Sequence, residues 1–424
     1  MKRRTHILRT NKVNQLPSHL IFYDTESYQE NIASGRVKHT LRLGWVCYVR
    51  VKRGESLSFR EEWKEFRTHD EFWRFVETHI QEKKKLYLIA HNQNFDFILM
   101  NGFNRLTRSR YKIKKWAINS QLFYVKFRKN KKTIEVIDSL NLFHVSIAQL
   151  GKTLNLPKLE VDFNKDSDDV ISTYCHRDVE ILKEMFCRWL EFLYAHDLGN
   201  FRFTLAGQAF TAFRHRFMKH DIYIHDNKQI LQLERDAYRG GRTEAFRLGR
   251  LPGVIYYLDV NSLYPYVMRN FEYPVRLIRW GDKLTKNQLK YYLQSYCVIA
   301  HVKIRTEEPA FGMRMERLVF PTGTFCVTLC TEELKYAFEH DMIEEIYQYA
   351  VYQKANIFQE YVDFFYSLKE QYTREQNPVF RSISKLFLNS LYGKFGQKQE
   401  NIEFLTDVDD DSVEVSDYIN ADTG

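Results

Sequence analysis

His19–Ser27 reads HLIFYDTES, an apolar and aromatic run that ends in two carboxylates. Successive side chains of a strand face opposite sides, so Asp24 and Glu26, two apart, share one side. That geometry suits a shared metal ion; an ordinary solvated strand end is the plain alternative. Working outward, LRLGWVCYVRV and FREEWKEFR continue the alternation of short β-branched and aromatic runs over residues 18–67, which predicts adjacent strands of a mixed sheet. A helix is expected near Glu71–Gln81, then a buried strand in LYLIAHN, then strands through KIKKWAINSQLFYVKF and KTIEVIDSL. Strand and helix in alternation make α/β the natural class.

From Asp168 to His196 the apolar spacing is helical and unbroken by Gly or Pro, and a second helix, TLAGQAFTAFRHRFM, follows Gly199–Asn200. A first domain is therefore placed at residues 1–200 and a second at 201–424. The second holds a Gly-Gly turn, a strand-like IYYLDV, a mixed stretch from Trp280 to Ala350, and helices around Ile357–Gln371 and Pro378–Tyr392. The acidic stretch DVDDDSVEVSD reads as a solvated loop.

With 44% hydrophobic and 28% charged residues the chain reads as globular. No run approaches the roughly 18 apolar residues of a membrane helix. The basic start MKRRTHILRTNK lacks the apolar stretch of a secretory signal. An intracellular protein, in the cytoplasm of a host or in an organelle, with no membrane partner, is expected. The six cysteines are scattered, which argues against a zinc site. A net charge of +9 with 15% aromatics permits a polyanionic partner held through phosphates and stacked bases.

Two further acids extend the pair: Asp96 in HNQNFDFIL, just after LYLIA, and Asp178 in YCHRDVEIL, one helical turn beyond Tyr174. Hard divalent ions take oxygen ligands from several elements. Two ions about 3.5–4 Å apart activate water and stabilise the leaving oxygen in phosphodiester cleavage. Tyr174 is placed to orient that water. FYDTES, HNQNFD and YCHRD resemble, in order and spacing, the three exonuclease motifs of family B DNA polymerases, whose proofreading domain has a ribonuclease H-like fold. The resemblance implies that Asp24, Glu26, Asp96 and Asp178 hold two ions, Mg²⁺ or Mn²⁺. It also implies that Asn92 and Phe95 grip a single-stranded 3′ end by hydrogen bonding and stacking.

In VIYYLDVNSLYPYVM an apolar strand delivers Asp259 before a turn at Asn261–Pro265, and in RSISKLFLNSLYGKFG the residues Arg381, Lys385, Asn389 and Tyr392 line one helical face with Leu386, Phe387 and Leu391 facing inward. A turn acid and a solvated cationic stripe are the bland readings. The two strings resemble motifs A and B of the same family. By that resemblance Asp259 is a palm metal ligand, Lys385 and Arg381 hold the incoming triphosphate, and Tyr392 and Asn389 pack at the nascent base pair. Tyr264 then lies under the deoxyribose and excludes a 2′-hydroxyl. AYRGGRTEAF, with Tyr238, Gly240 and Gly241, is similar to the template-binding Y-x-G-G motif of the protein-primed subgroup of phages, viruses and linear plasmids. The implied fold is a multidomain α/β and α+β chain: an exonuclease domain, then a partial polymerase palm with an insertion near 280–350 and helical fingers near 357–396. The implied partners are primer-template DNA, dNTPs and a terminal priming protein.

The resemblance also implies a D-T-D segment after motif B, and the similar letters, Asp422–Thr423–Gly424, put glycine at the second acid. The expectation from the sequence is a chain that polymerises poorly alone; a truncated gene product, a split polymerase completed by a second polypeptide carrying the palm motif and thumb, and a partial sequence all give this pattern. Ala148 in VSIAQLGK stands near where relatives show a lysine, and Lys152 is the expected substitute. Two other readings remain open at this point: a stand-alone exonuclease with a DNA-binding polymerase remnant, and a non-enzymatic nucleic-acid-binding protein.

Overall fold

The computed structural model of the chain describes residues 5–32, 36–120 and 122–397; residues 407–417 and Asp422–Thr423–Gly424 lie outside them. The described chain falls into two units. One takes Gln15–His196 and Phe201–Leu205; the other takes the residues before Gln15, Asp197–Asn200 and Ala206–Gln397. Strand β1 (His6–Leu8) belongs to the second.

The first unit is built on β2 (His19–Ile32), β3 (Arg36–Arg53), β4 (Leu57–Phe66), β5 (Lys85–Ala90), β6 (Lys112–Asn119), β7 (Leu122–Lys129) and β8 (Lys132–Asp138), in the order β4-β3-β2-β5-β8-β7-β6. β2, β5 and β8 run parallel, and the outer pairs are antiparallel. Helices α1 (His69–Thr78), α2 (Gln93–Leu99) and α3 (Gly102–Arg108) come before the last three strands; α4 (Ile147–Leu154) and α5 (Asp168–Ala195) come after. The period of two sorts the β2 side chains. Ile21 and Tyr23 enter a core with Phe72, Trp73 and Phe97 of α1 and α2, whereas Phe22 meets Phe186 of α5, ring centroids 5.4 Å apart. Asp24 and Glu26 therefore point to the α5 side, and Thr25 to the α2 side.

Gly44, the partner of Thr25 in the β2–β3 ladder, is needed for its size. An added Cβ would sit 2.2 Å from the Phe66 ring and 2.7 Å from the Asp24 carbonyl oxygen. Gly44→Ala is expected to cost about 1–3 kcal/mol of stability through overpacking, read by urea denaturation of the chain.

The second unit pairs β1 with β9 (Ile222–Ile224) and follows α6 (Leu205–Ala212) with one π-helical turn at Phe213–Phe217. Next come α7 (Lys228–Ala237) and α8 (Leu263–Asn270). An antiparallel sheet follows in the order β10-β15-β11-β14, from β10 (Tyr273–Asp282), β11 (Cys297–Thr306), β14 (Gly323–Leu329) and β15 (Ile343–Ala355). Helices α9 (Lys286–Ser295) and α10 (Thr331–Glu339) supply Leu289, Leu293, Leu334 and Ala337 to the core on one face of this sheet; β12 (Met313–Arg314) and β13 (Leu318–Val319) make a small hairpin. The chain ends its described part in α11 (Gln359–Arg374) and α12 (Pro378–Phe395). These pack through stacked Phe365 and Phe387 rings at 4.6 Å and a hydrogen bond from Tyr361 Oη to the Phe387 carbonyl at 2.8 Å. Among the described residues no helix is long and apolar enough to cross a membrane.

One expected element is not there. IYYLDV forms no strand: Ile255–Leu258 and Val260 are 65–94% exposed, and no strand among the described residues pairs with them. A strand is stabilised by its neighbours, and an apolar run without a ladder partner has nothing to hold it extended.

Candidate functional site

The acids of the first unit meet at the carboxyl ends of the parallel strands β2, β5 and β8, the usual place for a site in such a sheet. β2 delivers Asp24 and Glu26, whose oxygens lie within 4.8 Å of each other and of Cys175 Sγ on α5. From the other side Thr25 donates its amide (3.2 Å) and hydroxyl (2.6 Å) to Asp96 Oδ1 in the first turn of α2. Asp178, on α5, forms an ion pair with Lys158. The second oxygen of Asp178, Oδ1, is buried without a hydrogen-bond partner among the described residues.

Burial raises all four carboxyl groups, and repulsion from neighbouring acids adds to it at Asp24, Glu26 and Asp96. Asp24 is pushed up to about 7 by burial and by the charge of Asp178, and Glu26 to about 9 by burial and by Asp24 and Asp178. Asp96 rises well above the ordinary range through burial and Asp24, and Asp178 rises through burial against the pull of Lys158. Such a group of acids binds protons until a cation replaces them. The paired oxygens of Asp24 and Glu26, with Asp96 and Asp178 as further carboxylates and one orphaned buried oxygen on Asp178, are donors of the kind a hard divalent ion takes. Cys175 does not fit one: burial holds its thiol protonated, and Sγ donates to the Asp24 carbonyl at 3.4 Å.

The same values fix a pH dependence. Unfolded carboxylates titrate near about 4, so raised folded values mean that the metal-free fold binds more protons and loses stability as pH rises, through the values of about 7 and 9 at Asp24 and Glu26. Saturating Mg²⁺ is therefore expected to raise Tm more at pH 8.5 than at pH 6, by thermal melts with and without EDTA. An equal or smaller rise at pH 8.5 contradicts the cluster.

Several parts of this site carried no signal in the sequence. Asp138, at the end of β8, accepts the amides of Asn92 (3.1 Å), Gln93 (2.8 Å) and Leu140 (2.9 Å), and so holds exposed Asn92 at φ 95°. Buried Gln93 accepts from Tyr23 Oη at 2.5 Å and donates to the Ile137 carbonyl at 3.1 Å, which ties α2 to the sheet. Phe95 is partly buried and meets His39 edge-on at 5.2 Å. The lysine at the acids is Lys158, in the coil between α4 and α5; Lys152, the expected substitute, is exposed on α4. Burial would lower the Lys158 ammonium, but the charge and hydrogen bond of Asp178 hold it above its usual range. Its Nζ also lies 4.5 Å from the centre of the Tyr174 ring.

In the second unit a cleft of about 660 Å³ brings together Asp259, Tyr264, Arg381, Lys385, Asn389 and Tyr392. Tyr264 of α8 stacks on Tyr392 of α12, centroids 4.3 Å apart and planes 3° apart. Lys369 of α11, which the sequence did not single out, joins Arg381 and Lys385 to make three cations. On α12 Phe387 and Leu391 are buried as expected; Leu388 is buried too, and Leu386 only partly. Asp259 is exposed on the irregular stretch before α8. Tyr238 packs where a Cβ on Gly396 would be, and Arg239 Nη2 donates to the Thr328 carbonyl at 2.5 Å, so the Y-R-G-G turn is anchored to the unit's own sheet. Gly240 has open space around it, and a Cβ on Gly241 would lie 3.3 Å from Tyr264 Oη.

A family model described as DNA polymerase type B, organellar and viral, matches residues 158–420. The DNA polymerase of Kluyveromyces lactis is 27% identical over 323 residues, 71% of this chain and 30% of that protein. The DNA-directed DNA polymerase of Enterobacteria phage PRD1 is 27% identical over 347 residues, 78% of this chain and 55% of that protein. The chain thus spans well under two thirds of the length of these relatives. Among solved structures, Phi29 DNA polymerase in an orthorhombic crystal form superposes with a TM-score of 0.63 at 17% identity, over 90% of this chain and 69% of that one. Phi29 DNA polymerase complexed with primer-template DNA and incoming nucleotide substrates gives 0.61 at 16% identity, over 90% and 68%. This likeness bears out the expected fold class, a multidomain α/β and α+β chain folded like that polymerase.

Proposed function

Because the chain belongs to the type B DNA polymerases of organelles and viruses, we propose that its first unit is a 3′→5′ exonuclease and its second unit a nucleotide- and template-binding polymerase module. The observation that carries the exonuclease reading is that Asp24 and Glu26 offer oxygens within 4.8 Å of each other while Asp178 raises both of them and they in turn raise Asp96, with one buried Asp178 oxygen left unpartnered. These acids would hold two Mg²⁺ or Mn²⁺ ions, which supply a water activated near neutral pH and stabilisation of the leaving 3′-oxygen.

The chain's own groups do the rest. Lys158, bonded to Asp178 and lying over the Tyr174 ring, fixes the phenol that orients the attacking water. Asn92, held in its left-handed conformation by Asp138, presents its amide to the terminal nucleotide. Phe95 offers a ring on which a base stacks, worth about 1–3 kcal/mol.

In the second unit Lys385, Arg381 and Lys369 converge on a volume suited to a triphosphate. The stacked Tyr264–Tyr392 pair is a rigid wall against which a ribose 2′-hydroxyl would collide. Asp259 would be a metal ligand of this cleft, and Tyr238 with the Gly240–Gly241 turn would face template. The partners proposed for the chain are those named for the Phi29 complex, primer-template DNA and incoming nucleotides, together with a terminal priming protein at the sheet of residues 273–355.

A 5′-labelled primer-template incubated with the chain and Mg²⁺, without dNTPs, should shorten one nucleotide at a time from the 3′ end and stop on EDTA. Retention of the DNA without shortening would leave only a binding protein.

A further inference from the structure

Arg42 is the residue that the ladder between β2 and β3 leaves over: Glu26 pairs with Leu43 and Ser27 with Leu41. A bulge of this kind turns its extra residue away from the regular alternation, and such bulges re-aim side chains beside active sites. Here the Arg42 side chain is only 9% exposed. Its Nε and Nη2 both reach Asp168 Oδ1 at 2.8 Å, Nη1 donates to the Phe163 carbonyl at 3.1 Å, and Nη2 to the Asp166 carbonyl at 3.1 Å.

Asp168 does not depend on Arg42 for its charge, since Arg67 Nη1 holds its other oxygen at 2.7 Å. What Arg42 adds is the pair of main-chain contacts to the segment between α4 and α5. Residues 155–167 of that segment form no helix or strand. They nevertheless carry Lys158, and Phe163, whose ring meets Tyr174 edge-on at 5.6 Å. A local turn, with the Asp166 amide on the Asp162 carbonyl at 2.8 Å and the Asp162 amide on Asp166 Oδ2 at 2.7 Å, closes the segment on itself but does not tie it to the sheet. Arg177 Nη1 on the Pro157 carbonyl at 3.1 Å and Val161 against Leu43 and Cys175 hold other parts of the segment, and the Arg42 contacts fix its Phe163–Asp166 turn, adding to the order that precise placement of Lys158 needs.

We propose that Arg42 is a positioning residue: from a bulge opposite Glu26, its guanidinium ties residues 155–167 to the strand that bears the acids, and so holds Lys158 on Asp178 and Phe163 against Tyr174. A planar fork with several fixed donors can serve a carboxylate and two carbonyls together; a lysine ammonium at the same place cannot. The consequence for cleavage rests on the exonuclease reading, whereas the consequence for the segment's order does not.

The test compares Arg42→Ala, Arg42→Lys, Lys158→Ala and the Arg42→Ala/Lys158→Ala pair, by amide hydrogen exchange and by single-turnover shortening of a labelled single strand. In Arg42→Ala, exchange within residues 155–167 should quicken by about tenfold or more, with the rest of the unit unchanged, as loss of two or three hydrogen bonds implies. Cleavage should slow by about 10–100-fold at unchanged affinity for the strand, and Arg42→Lys should not restore it. In the Lys158→Ala background Arg42→Ala should cost several-fold less than it does in the parent, because the share of its effect that acts through the ammonium is already lost. Unchanged exchange, a loss confined to affinity, or losses that multiply in the pair would overturn the proposal. If Arg42→Ala does not fold, Arg42→Lys is read by the same two measures, and normal values of both overturn it. Faster exchange in a chain whose parent shortens no DNA would sustain the tie and count against the exonuclease reading instead.

Discussion

Replacing Asp24 and Glu26 together by alanine is expected to slow 3′-end shortening by about 1,000-fold or more, since it removes the oxygens that hold the ions and the charge stabilisation they supply. The loss should not come from unfolding. Both carboxyl groups are raised by burial and by neighbouring acids, so above neutral pH their ionised forms oppose the metal-free fold, and their removal should leave Tm equal or higher at pH 8.5. The rise of Tm on adding Mg²⁺ should vanish in the same variant. Single-turnover degradation and thermal melts read the two effects separately. Shortening that persists near the parent rate would remove β2 from the reaction.

Lys385→Ala is expected to weaken binding of a deoxynucleoside triphosphate by about 30–150-fold. That corresponds to about 2–3 kcal/mol for a charge-assisted contact to phosphate. The residue stands on the exposed face of α12, whose other face is held by Phe387, Leu388 and Leu391, so the substitution leaves the packing intact. Lys369→Ala on α11 should weaken binding less severely, because Arg381 and Lys385 still line the cleft. Titration of the chain with a fluorescent dNTP measures both; a change of less than threefold for Lys385→Ala would make its stripe an ordinary solvated face.

The parts of the site that were legible in the sequence are those set by local geometry. The period of two in HLIFYDTES places Asp24 and Glu26 on one side, and the unbroken helical spacing after Asp168 carries Tyr174 and Asp178 one turn apart. Lys158 was not legible, because it lies in a coil with no periodicity and is brought to Asp178 only by the return of α5 onto the sheet; Lys152, on a helix nearby, drew the expectation instead. Asp138 and Gln93 were hidden for the same reason, since their role is to tie α2 across strands far apart in sequence. The bulge at Arg42 depends on the register of two strands, which alternation alone does not specify. The stretch before Asp259 shows the reverse case: its apolar run reads as a strand, yet no neighbour among the described residues pairs with it.

Anomalous diffraction from crystals of the chain soaked in Mn²⁺ tests the central claim most directly. Two peaks about 3.5–4 Å apart, bounded by oxygens of Asp24, Glu26, Asp96 and Asp178, are the predicted result. An empty cluster with Asp178 still closed on Lys158, or a single ion held through Cys175, would contradict it.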